Sequence, residues 1–254
     1  MATVELLVWG SLALATGSFL NVLIHRVPDR KSMSGRSRCP QCGGEIGAIE
    51  NIPIISFIFL RGRCARCKSK ISWSYPLVEI ASLILALVVL SETEGLFNRI
   101  AWYFFVMAGL ALAVIDAKHF RLPNVITLPL ALSILVLLIA QSYSDNDFSH
   151  LKSALLSSTA LTFFYLIVNV LSRGGMGLGD VKFSISIGLL TGYLSSYGAY
   201  IASMAAFFAG SIIGISLMIS KGGGRKRKLP FGPFMYGGTI ASLWLIPIVE
   251  KAVQ

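Results

Sequence analysis

Apolar residues in this chain fall into long runs rather than alternating with polar ones. Residues 6–24, 100–115, 122–144, 153–172 and 229–249 carry no charge, and residues 77–90 carry only Glu79. A helix that crosses a bilayer needs about 20 consecutive, mostly apolar residues. Each of these runs therefore predicts one span. Residues 183–220 are uncharged throughout, too long for a single crossing, and the stretch from Thr191-Gly192 to Ser195-Ser196-Tyr197-Gly198 supplies a turn that divides it. The pattern predicts an all-α polytopic membrane protein of about eight transmembrane helices. The first run joins the following segment without a small-residue cleavage site, so it reads as a span rather than a removed signal peptide.

Composition agrees: 55% of the 254 residues are hydrophobic and only 13% charged, half the charged share of an ordinary soluble domain, about 25%. That excludes a soluble enzyme, a disordered tail and a disulfide-stapled secreted domain. The formal charge of +10 admits three readings: nucleic acid, anionic lipid or a topology signal. Position decides among them. Nineteen of the 22 basic residues lie in four segments: 26–70, Lys118 with Arg121, Arg173 with Lys182, and Lys221 with Arg225–Lys228. With eight spans these segments share one side, which the positive-inside rule makes cytoplasmic, with the N-terminus outside. No segment is long enough for a folded, aromatic-rich basic domain, so nucleic acid is not an expected partner; membrane lipids are. Gly222-Gly223-Gly224 and the basic run after it read as a flexible inside loop touching anionic lipid.

The polar segment between the first two spans holds all four cysteines, as Cys39-Pro40-Gln41-Cys42 and Cys64-Ala65-Arg66-Cys67. Two C-x2-C pairs make thiolate knuckles that close a tetrahedron around zinc. Gly43-Gly44 and Gly62 give the tight backbone such knuckles need, and Arg38, Arg63, Arg66 and Lys68 offset the thiolate charge. A pair of disulfides or two separate redox motifs are the alternatives, the first disfavoured in a reducing cytoplasm. Four sulfurs fill the coordination shell, so the expected metal is structural. The organisation expected is residues 1–24 as the first span, 25–76 as the tetracysteine loop and 77–254 as the transmembrane catalytic domain.

Three of the twelve acids abut apolar runs on the cytoplasmic side: Glu79, Asp116 and Asp180. Carboxylates near hydrocarbon are costly and point to function. Asp116 and Asp180 emerge at the same depth, where two close carboxylates share one proton. The ionised member then activates a water while the protonated one polarises a carbonyl and later protonates the leaving amine, which is aspartic peptide-bond hydrolysis. Gly177 and Gly179 predict a strand-like or unwound turn that positions Asp180. The plainer alternative is that each aspartate caps a helix or pairs with a cation, Asp116 with Lys118 or Arg121 and Asp180 with Lys182. The parts of serine and metalloprotease sites are missing: there is no G-x-S-x-G or H-E-x-x-H, and the three histidines are scattered.

Gly177-Leu178-Gly179-Asp180 matches the GxGD signature of intramembrane aspartic proteases. Ile115-Asp116 followed by Leu122-Pro123 resembles the first aspartate motif of the bacterial prepilin leader peptidases. The likeness continues through Gly17-Ser18-Phe19-Leu20-Asn21-Val22 with His25-Arg26-Val27-Pro28, Glu50-Asn51-Ile52-Pro53, Arg61-Gly62-Arg63-Cys64, Tyr75-Pro76-Leu77-Val78-Glu79 and Phe231-Gly232-Pro233-Phe234. The resemblance implies a bifunctional enzyme of type IV pilus or type II secretion assembly in the bacterial inner membrane. Such enzymes cut the basic leader from prepilins or pseudopilins after a glycine on the cytoplasmic face, with Asp116 and Asp180 catalytic. They then methylate the new N-terminal residue with S-adenosylmethionine. The resemblance ties the cysteine loop to zinc and to the methyltransferase half, which the archaeal preflagellin peptidases lack. Asn124 departs from the aspartate common after Leu-Pro in that family.

No G-x-G-x-x-G follows a strand, so the usual adenosylmethionine fold is absent from the expectation. A donor pocket would use Glu50 or Glu79 for the sulfonium or ribose and Gly62 for close approach. The plainer reading has Glu50 capping a turn and Glu79 paired with a loop arginine. A crevice of Asp29, Glu45 or Glu50 is expected to draw the leader's cations. The rival functions are a peptidase without methyl transfer, which the cysteine loop argues against, and a proton-coupled transporter, which would place carboxylates at mid-span within inverted repeats.

Overall fold

A computed structural model describes residues 3–172, 175–220 and 229–253. Arg173, Gly174 and the 221–228 run, with its glycines and five of the expected inside cations, lie outside the described residues. The described elements are helices: α1 (Thr3–Arg26), α2 (Ile55–Phe59), α3 (Ser74–Glu92), α4 (Leu96–His119), α5 (Asn124–Asp145), α6 (Ser149–Leu171), α7 (Leu178–Leu194), α8 (Gly198–Ser220) and α9 (Gly232–Val253). Among the described residues, β structure is limited to two isolated bridges. Among the described residues, seven helices are long and apolar enough to span a membrane. The remaining expected span, the sixth in chain order, is α7, with 17 residues, about 25 Å at 1.5 Å per residue and the lower limit for a crossing. The chain is a multi-pass helical membrane protein.

Two compact units form, Met1–Ser91 and Glu92–Gln254. In the first, α1 and α3 approach closely at Gly17, where a Cβ would lie 3.0 Å from Glu79 Cα. The Asn21 amide donates to the Tyr75 carbonyl at 3.2 Å. The second span begins at Ser74 rather than 77, because Pro76 in a first helical turn has no hydrogen bond to lose.

In the second unit α4 packs on α5 and α9, α6 on α7, and α8 on α9. Between α6 and α7 the contact is made by small residues, as membrane helices that lack a hydrophobic driving force require. A Cβ at Gly188 would run into the Ser158 backbone, and one at Gly192 would lie 3.1 Å from Ala154 Cα. This packing also corrects the expected turn. Thr191 and Gly192 stay helical, the Thr191 hydroxyl bonding the Ile187 carbonyl at 2.7 Å, and the break comes at 195–197. Behind the helix ends, Phe105 of α4 stacks on Phe183 of α7 with centroids 5.5 Å apart. The buried Tyr236 hydroxyl of α9 donates to the Val106 carbonyl.

Candidate active site and metal centre

Asp116 lies on the last turn of α4, which closes with Phe120 in the left-handed region, its N–H bonded to the Asp116 carbonyl. Asp180 is the third residue of α7. This differs from the unwound turn expected there: only Gly177 is extended, and the aspartate is already helical. Its Oδ2 accepts the Gly177 N–H at 3.1 Å. That is half a capping box, since glycine has no side chain to return the bond. Asp116 Oδ2 accepts the Gly232 N–H at 2.9 Å. Gly232 opens α9, where the first N–H groups have no helical acceptor. Both aspartates are buried, with 6% and 8% exposure. A Cβ at Gly179 would lie 2.8 Å from Leu122 Cβ, so the GxGD turn sits directly on the loop after α4. The C-terminal end of α4 and the N-terminal ends of α7 and α9 therefore meet at one end of the unit. Lys182, the expected alternative partner of Asp180, donates instead to Asn124 Oδ1 at 2.9 Å. Sequence reasoning missed the anchoring role of Gly232, although its Phe-Gly-Pro-Phe motif was the available signal.

The two cysteine knuckles repeat each other at a shift of 25 residues. In one, Cys39 N–H bonds the Gly44 carbonyl, Gly43 N–H the Cys39 carbonyl and Ile46 N–H the Ser37 carbonyl. In the other, Cys64, Lys68 and Ile71 make the same bonds to Ser69, Cys64 and Gly62. Each knuckle carries one antiparallel bridge, Arg38 with Glu45 and Arg63 with Lys70, and each turns through a positive φ, at Gly43 (67°) and Lys68 (58°). The four Sγ atoms lie within 4.8 Å of one another, with Cys39 and Cys67 at 3.8 Å, and none is in a disulfide. A tetrahedron with metal–sulfur bonds of about 2.3 Å has edges of about 3.8 Å, so the cluster fits a metal ion. The N–H groups of Cys42 and then Gln41 pull the Cys39 thiol down to about 6. Cys42 goes up to about 11: the Gly44 N–H favours its thiolate, but the bond to Cys67, desolvation and the Cys39 charge outweigh it. Sulfurs this close favour unequal protonation until a cation joins them.

Beside the knuckles is a cavity of about 820 Å³, lined in part by Ser18, His25, Glu50, Tyr75 and Glu79. It brings together two of the three donor-pocket candidates. Glu50 Oε2 also accepts the Gly47 N–H at 2.9 Å, the turn-capping role. Glu79 is buried and, among the described residues, pairs with no loop arginine: its Oε2 accepts the Ile54 N–H at 2.8 Å. Ile54 has φ 61°, a conformation strained for a β-branched residue, and the Glu79 bond helps to hold it. Gly62 does not line this cavity. Its φ of +66° closes the turn after α2, and a Cβ would press on the Phe57 ring. Nor do the three acids expected to draw a basic leader converge. Asp29 pairs with Lys31 at 2.7 Å and Glu45 with Arg36 and Arg38, and the cavity wall includes Arg26, Lys31, Arg36, Arg38 and Lys70.

A multi-pass helical protein with two converging buried aspartates and a four-sulfur cluster that could hold a metal defines a class of membrane enzyme, and comparison with known proteins narrows it. Residues 11–93 match the bacterial peptidase A24 N-terminal domain, and residues 103–219 match the type IV leader peptidase family. A prepilin leader peptidase/N-methyltransferase of Pseudomonas aeruginosa is 30% identical, covering 96% of this chain and 91% of its own length. Those of Dichelobacter nodosus and Burkholderia pseudomallei are each 32% identical over 92% of this chain, covering 93% and 83% of their own lengths. No solved structure matches the chain. The chain belongs to the type IV leader peptidase family.

Proposed function

We propose that the protein cleaves the basic leader from prepilins or pseudopilins with Asp116 and Asp180 and then methylates the exposed N-terminal residue. The observation that carries the peptidase reading is how the two carboxyls are held. Both are buried at meeting helix ends, and each accepts a neutral backbone N–H. A neutral donor leaves one proton to be shared across the pair. One carboxylate then takes a proton from water as it attacks the scissile carbonyl, and the other acid returns a proton to the leaving amine. A helical substrate must unwind there, since a peptide bond within a helix is shielded.

The positive-inside distribution supports placing this end and the cysteine loop on the cytoplasmic side of the bacterial inner membrane. Residues 25–76 are the methyltransferase-associated loop and 77–254 the peptidase domain. The four cysteines hold zinc as a structural ion. S-adenosylmethionine, which supplies an electrophilic methyl group when bound, suits the cavity lined by Glu50 and Glu79. The donor set fits: carboxylates for its cationic amino and sulfonium groups, Arg36 or Lys70 for its carboxylate, and the His25–Tyr75 stack beside them for its base.

The test is reconstituted protein incubated with a prepilin and labelled methyl donor. Asp116→Asn and Asp180→Asn are each expected to abolish cleavage while a substrate already trimmed is still methylated. Cleavage at the wild-type rate by either variant would overturn the peptidase assignment.

A further inference from the structure

The segment between α1 and α3 carries a two-faced helical turn whose outer face the proposed chemistry does not use. In α2, Ser56 and Phe57, with Leu60 just beyond, line the cavity. Ile55, Ile58 and Phe59, spaced i, i+3 and i+4 and so sharing the opposite face, are exposed by 52%, 66% and 82%. A polar loop in water has no reason to present three large apolar side chains on one turn.

What covers this face is indicated by its neighbour. The Phe57 ring packs on Trp73 at 4.9 Å. Trp73 is itself 70% exposed and bonds through its carbonyl to the Leu77 N–H, so it sits one turn before Leu77 on the same face of α3. Leu77, Ile80 and Ile84 continue that exposed face down the helix, at spacings of three and four residues. The α3 stripe is lipid-facing if α3 crosses the bilayer, and a tryptophan at its start is the residue type that favours the headgroup level. Basic residues flank the turn on both sides of the second knuckle, at Arg61, Arg63, Lys68 and Lys70, the charge that anionic headgroups attract.

We propose that α2 is an interfacial anchor: Ile55, Ile58 and Phe59, with Trp73, insert at the headgroup–acyl boundary, about 5–10 Å into the bilayer surface. The occupant is the lipid itself. Because the other face of the same turn lines the cavity, the membrane surface fixes one wall of that cavity, and Glu79 fixes the start of the turn through Ile54. The proposal stands apart from the leader-peptidase reading, since it concerns lipid contact and not either reaction.

The experiment uses the full chain in nanodiscs of phosphatidylcholine and phosphatidylglycerol, with lipids brominated at shallow or deep acyl positions. The tryptophan signals come from Phe59→Trp in a Trp73→Phe background, and from wild type minus Trp73→Phe. Both are expected to emit to the blue of a water-exposed indole. Shallow bromines should quench them more than deep ones, and aqueous iodide should not. Emission at the water-exposed wavelength with iodide quenching and no bromolipid quenching overturns the proposal. Iodide protection that appears only when prepilin is added overturns it too, and assigns the face to the substrate helix. Since both variants exchange one aromatic ring for another, the Tm should stay at the wild-type value, and the quenching pattern reports position rather than unfolding.

Discussion

Gly232→Ala isolates the positioning of Asp116, one of the two carboxyls proposed to be catalytic. A Cβ at 232 would lie 2.9 Å from Asp116 Oδ2 and 3.2 Å from its Cγ, against 3.4 Å or more for ordinary contact. The carboxylate or the start of α9 must therefore retreat by about 0.5 Å, and the 2.9 Å bond from the Gly232 N–H lengthens with it. A hydrogen bond to a charged group contributes about 1.5–3 kcal/mol. If that is lost from the placement of Asp116, kcat/KM for leader cleavage falls by about 10- to 150-fold at about 1.4 kcal/mol per decade. Misplacing a reacting group by about 1 Å leads to the same scale, about 100-fold. Folding should hardly change, because alanine is the better helix former and the displaced atom is the end of a side chain. Gly237→Ala is the control: it lies on the same helix, and its Cβ would meet nothing within 4 Å. The assay is the initial rate of prepilin cleavage by reconstituted protein, beside the thermal midpoint and the methylation of trimmed substrate. Wild-type cleavage by Gly232→Ala would refute the reasoning, since Asp116 would then tolerate displacement that a reacting carboxyl does not.

Metal analysis of the purified chain should find one zinc per molecule, and Cys39→Ser or Cys67→Ser should lose it; retention by both would refute the four-sulfur site. Because the thiols must be deprotonated to bind, loading should release protons and weaken as pH falls, measurable by calorimetry in two buffers of different ionisation enthalpy. Gly188→Val should lower the thermal midpoint by an amount equivalent to about 1–3 kcal/mol, since its side chain has to push α6 away at Ser158; an unchanged midpoint would mean that α6 and α7 are not closely packed there. The Asp147 carboxylate is held below its usual range by the N–H and then the hydroxyl of Ser149, each at 2.8 Å. A depressed folded value means that its contribution is complete above the unfolded pKa, about 3.9, and is lost as pH falls through the folded one. The protection factors of the amides at the start of α6, with exchange referred to the unfolded chain at the same pH, should therefore fall as pH drops below about 4 in wild type but not in Asp147→Ala; identical profiles would exclude this role.

Runs without charge made the spans legible, because hydrocarbon tolerates little else, and the same scarcity of charge made Asp116 and Asp180 conspicuous. Boundaries were less legible. The Thr191-Gly192 pair reads as a turn locally, yet tertiary packing on Ser157 and Ser158 keeps it helical. Gly62 reads as a residue allowing close approach to a ligand, but its backbone is needed to end α2. Glu50 and Glu79 both reach one cavity, something no spacing rule contains, since α3 and the 3₁₀ turn at Ile49–Asn51 are joined by a loop of irregular course. The 25-residue repeat of the knuckles was present in the sequence, but the cysteine spacing alone did not announce the shared backbone hydrogen bonds. Least legible was α2. Its five residues are too few for a periodic signal, and only exposure on one side and the cavity on the other separates its two faces.

The choice of donors around the aspartates bears on the chemistry more directly than their depth. Had Lys182 reached Asp180, the ion pair would have favoured a permanently ionised carboxylate, and the same holds for Asp116 with a neighbouring cation. Two fixed anions side by side have no proton to give to a leaving amine. Lys182 is instead drawn to Asn124 at 2.9 Å, on the first turn of α5, while backbone N–H groups serve the carboxylates. An amide hydrogen bond orients one carboxyl oxygen and leaves the other available to water or a proton. Gly232 lets the donor at the start of α9 approach without a Cβ against Asp116, and the absence of a Cβ at Gly179 lets the turn carrying Asp180 lie against Leu122. The glycines of the two motifs therefore serve proton sharing as much as backbone fit, whereas a cation on each aspartate would hold both ionised and remove the proton they share.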